Sequence, residues 1–262
     1  TSENARRLGA LLILAAICVD RGATSAARAA NGAQFMGNQA CAGCHEKANA
    51  DWLGSHHDLA MQEASEQTVL GDFNDATFSY NGITTRFFRK GDAFWVTTDN
   101  AQGQLENFEM AYVFGVYPLQ QLLLPLPGGR LQALSVAWDA RPKEAGGQRW
   151  YHIYAEQEPI TADNPLHLTG IYHNWNTRCA ECHSTNVRKN YDLSSRSFDT
   201  TFEQIDVGCE ACHGPGSEHV RLAQSNALAA AATSGFAMSL AAQGQWQWPK
   251  DEAIARRTQP LS

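Results

Sequence analysis

Cys209-Glu210-Ala211-Cys212-His213, followed at once by Gly214-Pro215-Gly216-Ser217-Glu218-His219, is the stretch from which the rest of the chain can be read. Two thiols three residues apart, with a histidine directly after the second, form the attachment signature of a c-type haem. The thiols add to two vinyl groups and the adjacent imidazole becomes the proximal iron ligand. The same pattern stands at Cys41-Ala42-Gly43-Cys44-His45 and at Cys179-Ala180-Glu181-Cys182-His183. With 7 cysteines and 9 histidines in 262 residues, one accidental match is expected in roughly one shuffled chain in a hundred or fewer, and three together are negligible. A disulfide framework, a zinc site or an iron-sulfur cluster would also use paired cysteines. None of them explains why every second cysteine of the pairs is followed by histidine. The expectation is three covalent haem c groups, held by Cys41, Cys44, Cys179, Cys182, Cys209 and Cys212, with His45, His183 and His213 as proximal ligands.

Composition bounds the partners. At 44% hydrophobic residues the chain can bury an ordinary globular core, and its formal net charge is -7, to which haem propionates would add. Nucleic acid and anionic membrane surfaces are therefore not expected as partners. A redox partner protein, donor or acceptor, would present a basic patch and would associate more slowly at high salt.

The first 30 residues read as a secretory signal. Arg6 and Arg7 precede an apolar run over 8–19, and small residues follow as far as Ala27-Arg28-Ala29, an A-x-A-type cleavage site. That run is too short to span a bilayer and is closed by Asp20 and Arg21, so no membrane span is expected in the mature chain. Cys18 is read as part of the signal, because Ile17 stands where a lipidated cysteine needs a small residue before it. Thr1 in place of an initiator Met is expected to lie downstream of the natural start. A periplasmic or extracellular location agrees with haem attachment outside the cytoplasmic membrane.

Residues 31–67 form the first haem segment, with a helix after His45 and Ser55 and Asp58 as a capping box for a second short helix. Residues 68–160 contain no cysteine and change period. Stretches 77–80, 83–89, 94–98, 131–137 and 150–155 are rich in β-branched and aromatic residues. They are separated by turn signals such as Asn81-Gly82, Gly91-Asp92 and Gly128-Gly129. The expectation is an antiparallel β insert of six or seven strands, with Phe87, Phe88, Phe94, Trp95, Tyr112 and Phe114 as core. It shows no GxGxxG, P-loop or nucleophile-elbow pattern. Residues 161–231 hold the second and third motifs, with Ser217 as a cap for the helix that follows the Gly-Pro-Gly turn. Residues 232–262 are read as a helical to poorly tied tail. The fold class is α+β: short helices and loops packed around covalent haems, with a central antiparallel β insert.

The sixth iron ligand decides the chemistry: a second histidine makes an electron carrier, an open position allows substrate binding. Six histidines remain outside the motifs: His56, His57, His152, His167, His173 and His219. His57 and His219 are expected distal ligands because each sits on a short helix tied to a haem segment, and the glycine turn frees His219 to face an iron other than its neighbour's. His167 is the choice for the remaining iron, with His173 and His152 behind it. Met61 and Met110 are alternatives that would raise the potential.

CAGCH followed by Trp52, Ser55, His57, Ala60 and Met61 in a W-x-x-S-x-H-x-x-A-M pattern, together with CEACHGPGSEHV, resembles the cytochrome c-552/4 domain family, relatives of tetrahaem cytochrome c-554 and of hydroxylamine-oxidoreductase-like multihaem cytochromes. The resemblance covers the haem segments and implies that His57 and His219 are distal ligands. Stretches 112–121, 127–142 and 174–186 resemble the N-terminal part of long multihaem cytochromes that continue into further CxxCH motifs and tetratricopeptide repeats. Because the chain has no fourth CxxCH and stops at RRTQPLS, it is expected to be a fragment of such a protein. The functional expectation is single-electron transfer through mostly bis-histidine haems. The alternative is a multihaem oxidoreductase acting on a small nitrogen or sulfur compound at one open haem, with His152, Tyr172 or Arg178 as proton donors.

Overall fold

The structure is a computed structural model and describes residues 32–155, 159–231, 233–236, 246–247, 249–250 and 256–258. The expected secretory signal and most of the expected tail fall outside these residues. The fold is mixed α+β, with antiparallel sheets and short helices.

The chain opens with α1 (Asn38–Ala42) and α2 (Glu46–Trp52), then turns, then β1 (Met61–Glu63). Nine further strands follow: β2 (Ala76–Tyr80), β3 (Ile83–Lys90), β4 (Ala93–Asp99), β5 (Leu105–Glu109), β6 (Tyr112–Phe114), β7 (Leu119–Leu126), β8 (Arg130–Ala133), β9 (Val136–Asp139) and β10 (Arg149–His152). Strands β2 to β5 form a four-stranded meander. The second sheet runs β1-β6-β7-β9-β10, and β8 also pairs with β7. Helices α3 (Trp175–Arg178), α4 (Ala180–His183), α5 (Cys209–His213) and α6 (Ser217–Gln224) come last, before a pairing of β11 (Trp246–Gln247) with β12 (Arg256–Arg257). Among the described residues no helix is long and apolar enough to cross a membrane.

Strand alternation explains how the sheets and the haem segments meet. Successive side chains point to opposite faces. In β6 to β9, Val113, Leu122, Leu124, Leu134 and Val136 turn toward the four-stranded sheet and join Phe73, Phe87, Phe94 and Trp150 in the larger core cluster. Their neighbours Phe114, Leu123 and Ala133 turn the other way, onto Met61, Trp175 and Cys179. The six-stranded sheet is thus covered on one face by the meander and on the other by the second CxxCH motif. Trp150 lies flat on Phe87, 3.7 Å between centroids and 2° between planes.

Several expectations change. The stretch after Ser55 forms turns and then β1, not a second helix: Ser55 Oγ accepts from the Asp58 N–H, but the Asp58 carboxylate accepts from Gly54. Met61 and Met110 are core residues, 0% and 4% exposed. The expected strand over 131–137 is two strands, β8 ending at Ala133 and β9 beginning at Val136, although the Leu134 N–H still donates to the Leu122 carbonyl. Strands β5 and β7 stand where no strand was expected. Leu105–Glu109 is mostly exposed and polar, and in Leu119–Leu126 the consecutive residues Leu122, Leu123 and Leu124 are all buried, so neither carries clean alternation.

Candidate haem-binding site

Each CxxCH motif sits on about one helical turn, which is the conformation its chemistry needs. Residues three and four apart lie on the same helix face, so both thiols and the histidine of Cys209–His213 and of Cys179 to His183 are brought to one side. In the first motif the Cys44 and His45 N–H groups both donate to the Cys41 carbonyl, at 3.2 and 3.0 Å. His45 is the N-cap of α2.

The first and third motifs are built against each other. Glu210, the second residue of the third motif, is 2% exposed. Its carboxylate accepts from the Met36 N–H (2.9 and 3.0 Å), the Gly37 N–H (2.8 Å) and the Gly216 N–H (2.7 Å). Asn38 Oδ1 accepts from the Cys209 N–H at 2.8 Å. Gln34 and Ser217 exchange two bonds: Gln34 N–H to Ser217 Oγ at 2.8 Å, and Ser217 N–H to the Gln34 carbonyl at 3.1 Å. Ser217 therefore does not cap its own helix, as the sequence suggested, but ties that helix to the chain ahead of the first motif. Burial, and then the neighbouring Cys209 and Glu210, push the Cys41 thiol up to about 11. In the haem-free chain it is a protonated thiol at neutral pH.

Between these motifs lies a cavity of about 500 Å³ whose lining includes Cys41, Cys44, His45, Glu210, His213 and His219. The His45 and His219 rings face each other with 6.1 Å between centroids and 25° between planes. His219 Nδ1 lies 2.7 Å from the Ser234 carbonyl. A carbonyl only accepts, so Nδ1 carries the proton and Nε2 keeps its lone pair.

These residues fit a haem c. Cys41 and Cys44 would attach it, and His45 and His219, whose ring centroids lie 6.1 Å apart, would hold its iron. The cavity is within the roughly 300–1,000 Å³ of cofactor sites, and the histidine bonded through Nδ1 to a carbonyl is the usual orientation of a metal-binding imidazole.

The second motif is fixed by side-chain amides. Asn174 caps α3, its Oδ1 accepting from Thr177 N–H at 3.1 Å, and its Nδ2 donates to Gln132 Oε1. Gln132 Nε2 donates to the Leu168 and Gly170 carbonyls. Asn176 accepts from Leu131 N–H and donates to the Gly129 carbonyl and Thr200. His183 Nδ1 donates to the Ala60 carbonyl at 3.0 Å, again leaving Nε2 free. Burial raises the Cys179 thiol above its ordinary value.

The other histidines are distributed unevenly. His57 is exposed and its carbonyl accepts from the Val207 N–H at 3.1 Å, two residues ahead of Cys209. His167 is far from free: Nε2 is 3.0 Å from Asp99 Oδ2 and Nδ1 is 2.8 Å from Thr169 Oγ1, in a site 4% exposed. His173 donates from Nδ1 to the Ala133 carbonyl, and its Nε2 is sealed without a partner. His152 stacks on Tyr80 at 3.9 Å and accepts from the Tyr154 N–H through Nδ1. Among the described residues no group of three or more His, Cys, Asp or Glu is arranged to hold a bare metal ion.

Residues 147–214 match the family model of cytochrome c554 and c-prime. The matched stretch spans the second and third CxxCH motifs, and haem c is the cofactor which that family implies. A likeness to the crystal structure of outer cell wall cytochrome OcwA has 19% identity and a TM-score of 0.45, over 73% of this chain and 34% of that one. The chain spans about a third of the length of that protein. No curated protein matches it.

Proposed function

We propose that the chain holds three haem c groups and carries single electrons between a donor and an acceptor redox protein outside the cytoplasmic membrane. Cys41 and Cys44, Cys179 and Cys182, and Cys209 and Cys212 attach them, and His45, His183 and His213 are the proximal ligands. Haem c supplies a one-electron iron couple. The chain's contribution is to orient the ligands and to set charge and solvent around them.

The observation that carries this reading is the facing pair His45 and His219, on two different segments, across a cavity that also holds Cys41 and Cys44. A site closed by two histidines exchanges electrons and binds no substrate. We assign His57 to the third motif. Its carbonyl is bonded beside Cys209, and Ala60, one turn later, lies behind the His183 ring on the side away from Nε2. His167 we now read as a structural residue, since both its nitrogens serve the protein. Export is supported by the Arg6-Arg7 and Ala27-Arg28-Ala29 pattern.

A second reading rests on the ligand count. With His152, His167 and His173 held in the β region, only His56 of the nine histidines of this chain remains, and it adjoins His57, so in this reading it points another way and does not face His183. The second motif then has an open position flanked by Tyr172, which is 53% exposed, and by Arg178, which lies over the Tyr172 ring at 5.1 Å. Voltammetry of the haem-loaded chain tests the choice. Reversible waves unaffected by hydroxylamine, nitrite or sulfite support the carrier, and a catalytic current with one of them supports the oxidoreductase.

A further inference from the structure

We propose that Glu210 is a positioning residue for the site between His45 and His219 and that its buried charge lowers the potential there. This rests on the reading of those two histidines as one iron's ligands. Three observations carry it. First, Glu210 is 2% exposed and all its bonds are to backbone donors, namely Met36, Gly37 and Gly216. An ionised carboxylate, acceptor only, satisfies all three donors, and such charge-assisted bonds are about twice as strong as neutral ones.

Second, those donors belong to the two pieces that must be brought together. Gly37 is the N-cap of α1, which carries Cys41, and Gly216 is the N-cap of α6, which carries His219. The third motif thereby sets the separation of a proximal and a distal histidine that are both bound elsewhere in sequence. Third, Glu210 lines the cavity itself. When one electron enters that site, with no bond made or broken, a fixed negative charge in a low-dielectric wall opposes it.

Glu210→Gln keeps the shape and removes the charge, while Glu210→Asp keeps the charge. Titration of the haem-loaded proteins with dithionite, followed optically, should show one potential raised in Glu210→Gln by about tenfold in the reduction equilibrium, about 59 mV for one electron. Glu210→Asp should restore most of it. Unchanged potentials in a normally loaded Glu210→Gln protein overturn the proposal, as does an equal shift in both variants. If Glu210→Gln does not load, infrared difference spectra of the unaltered protein decide. A carboxylate band that shifts on reduction of the first-motif haem supports the role, and its absence overturns it. Failure of the ligand reading would look different: a high-spin haem at the first motif before any substitution.

Discussion

His219 faces His45 at 6.1 Å, ring centroid to ring centroid, although 174 positions separate them in the chain. Two local devices make this meeting. Gly214 takes φ 77, a left-handed conformation open to glycine, and reverses the chain straight after His213. The Glu210 carboxylate then joins the incoming and outgoing strands of the chain.

Removing the cofactor should unfold the two halves unequally. Helices α2 and α6 bury no residue of their own, and helices this short are not stable alone. The sheets share a core to which no motif cysteine or histidine contributes. Hydrogen exchange on the haem-free chain should show protection retained in β3, β4 and β7 and lost over 38–52 and 208–224. Equal protection in both regions would contradict this.

His167 should prove structural. Burial works to raise the Asp99 pKa, yet His167, with local hydrogen bonds, holds it below the usual carboxylate value. Leaving the buried Asp99 without this hydrogen-bond partner costs about 1–3 kcal/mol. His167→Ala should lower the melting temperature markedly and leave the haem spectrum low-spin to the same extent as before. A new high-spin haem in this variant would restore His167 to the ligand set.

Acid should weaken the β region through His152. Burial, and after it the neighbouring His173, pushes His152 down to about 4 from an ordinary 6.5. Its folded pKa lies below its unfolded one, so the unfolded chain binds the extra proton first. The contribution is complete above about pH 6.5 and is lost as pH falls through 4. At 1.36 kcal/mol per pH unit it amounts to at most ~3 kcal/mol. Melting temperatures between pH 7 and 4 should fall less steeply in His152→Gln than in the unaltered protein.

Gly129→Ala should be costly. Gly129 has φ 66, and an added Cβ would stand 2.0 Å from the Phe198 carbonyl oxygen. Phe198 N–H donates to the Gly128 carbonyl, joining the β7–β8 turn to the loop that packs beside the second motif. A loss of about 1–3 kcal/mol in denaturant melts is expected from overpacking alone. An unchanged midpoint would show that this junction does not hold.

The three CxxCH motifs were legible from their spacing alone, and strands β2 to β4 because Asn81-Gly82 and Gly91-Asp92 punctuate clean alternation. The turn ahead of His219 could be read from Gly214-Pro215-Gly216. Glu210, Gln132, Asn174 and Asn176 could not. Each acts through bonds to residues 36 to 174 positions away, or to a neighbour's backbone. A buried amide or carboxylate has no periodic signature. The Asp99 partner of His167 was not legible either, because it lies 68 positions earlier in the chain.

The most direct test is low-temperature electron paramagnetic resonance of the oxidised, haem-loaded protein with His219→Ala beside the unaltered chain. The shared-iron account predicts one additional high-spin haem in the variant, attached to the peptide that carries Cys41 and Cys44. An unchanged number of high-spin haems would show that His219 and His45 do not serve the same iron.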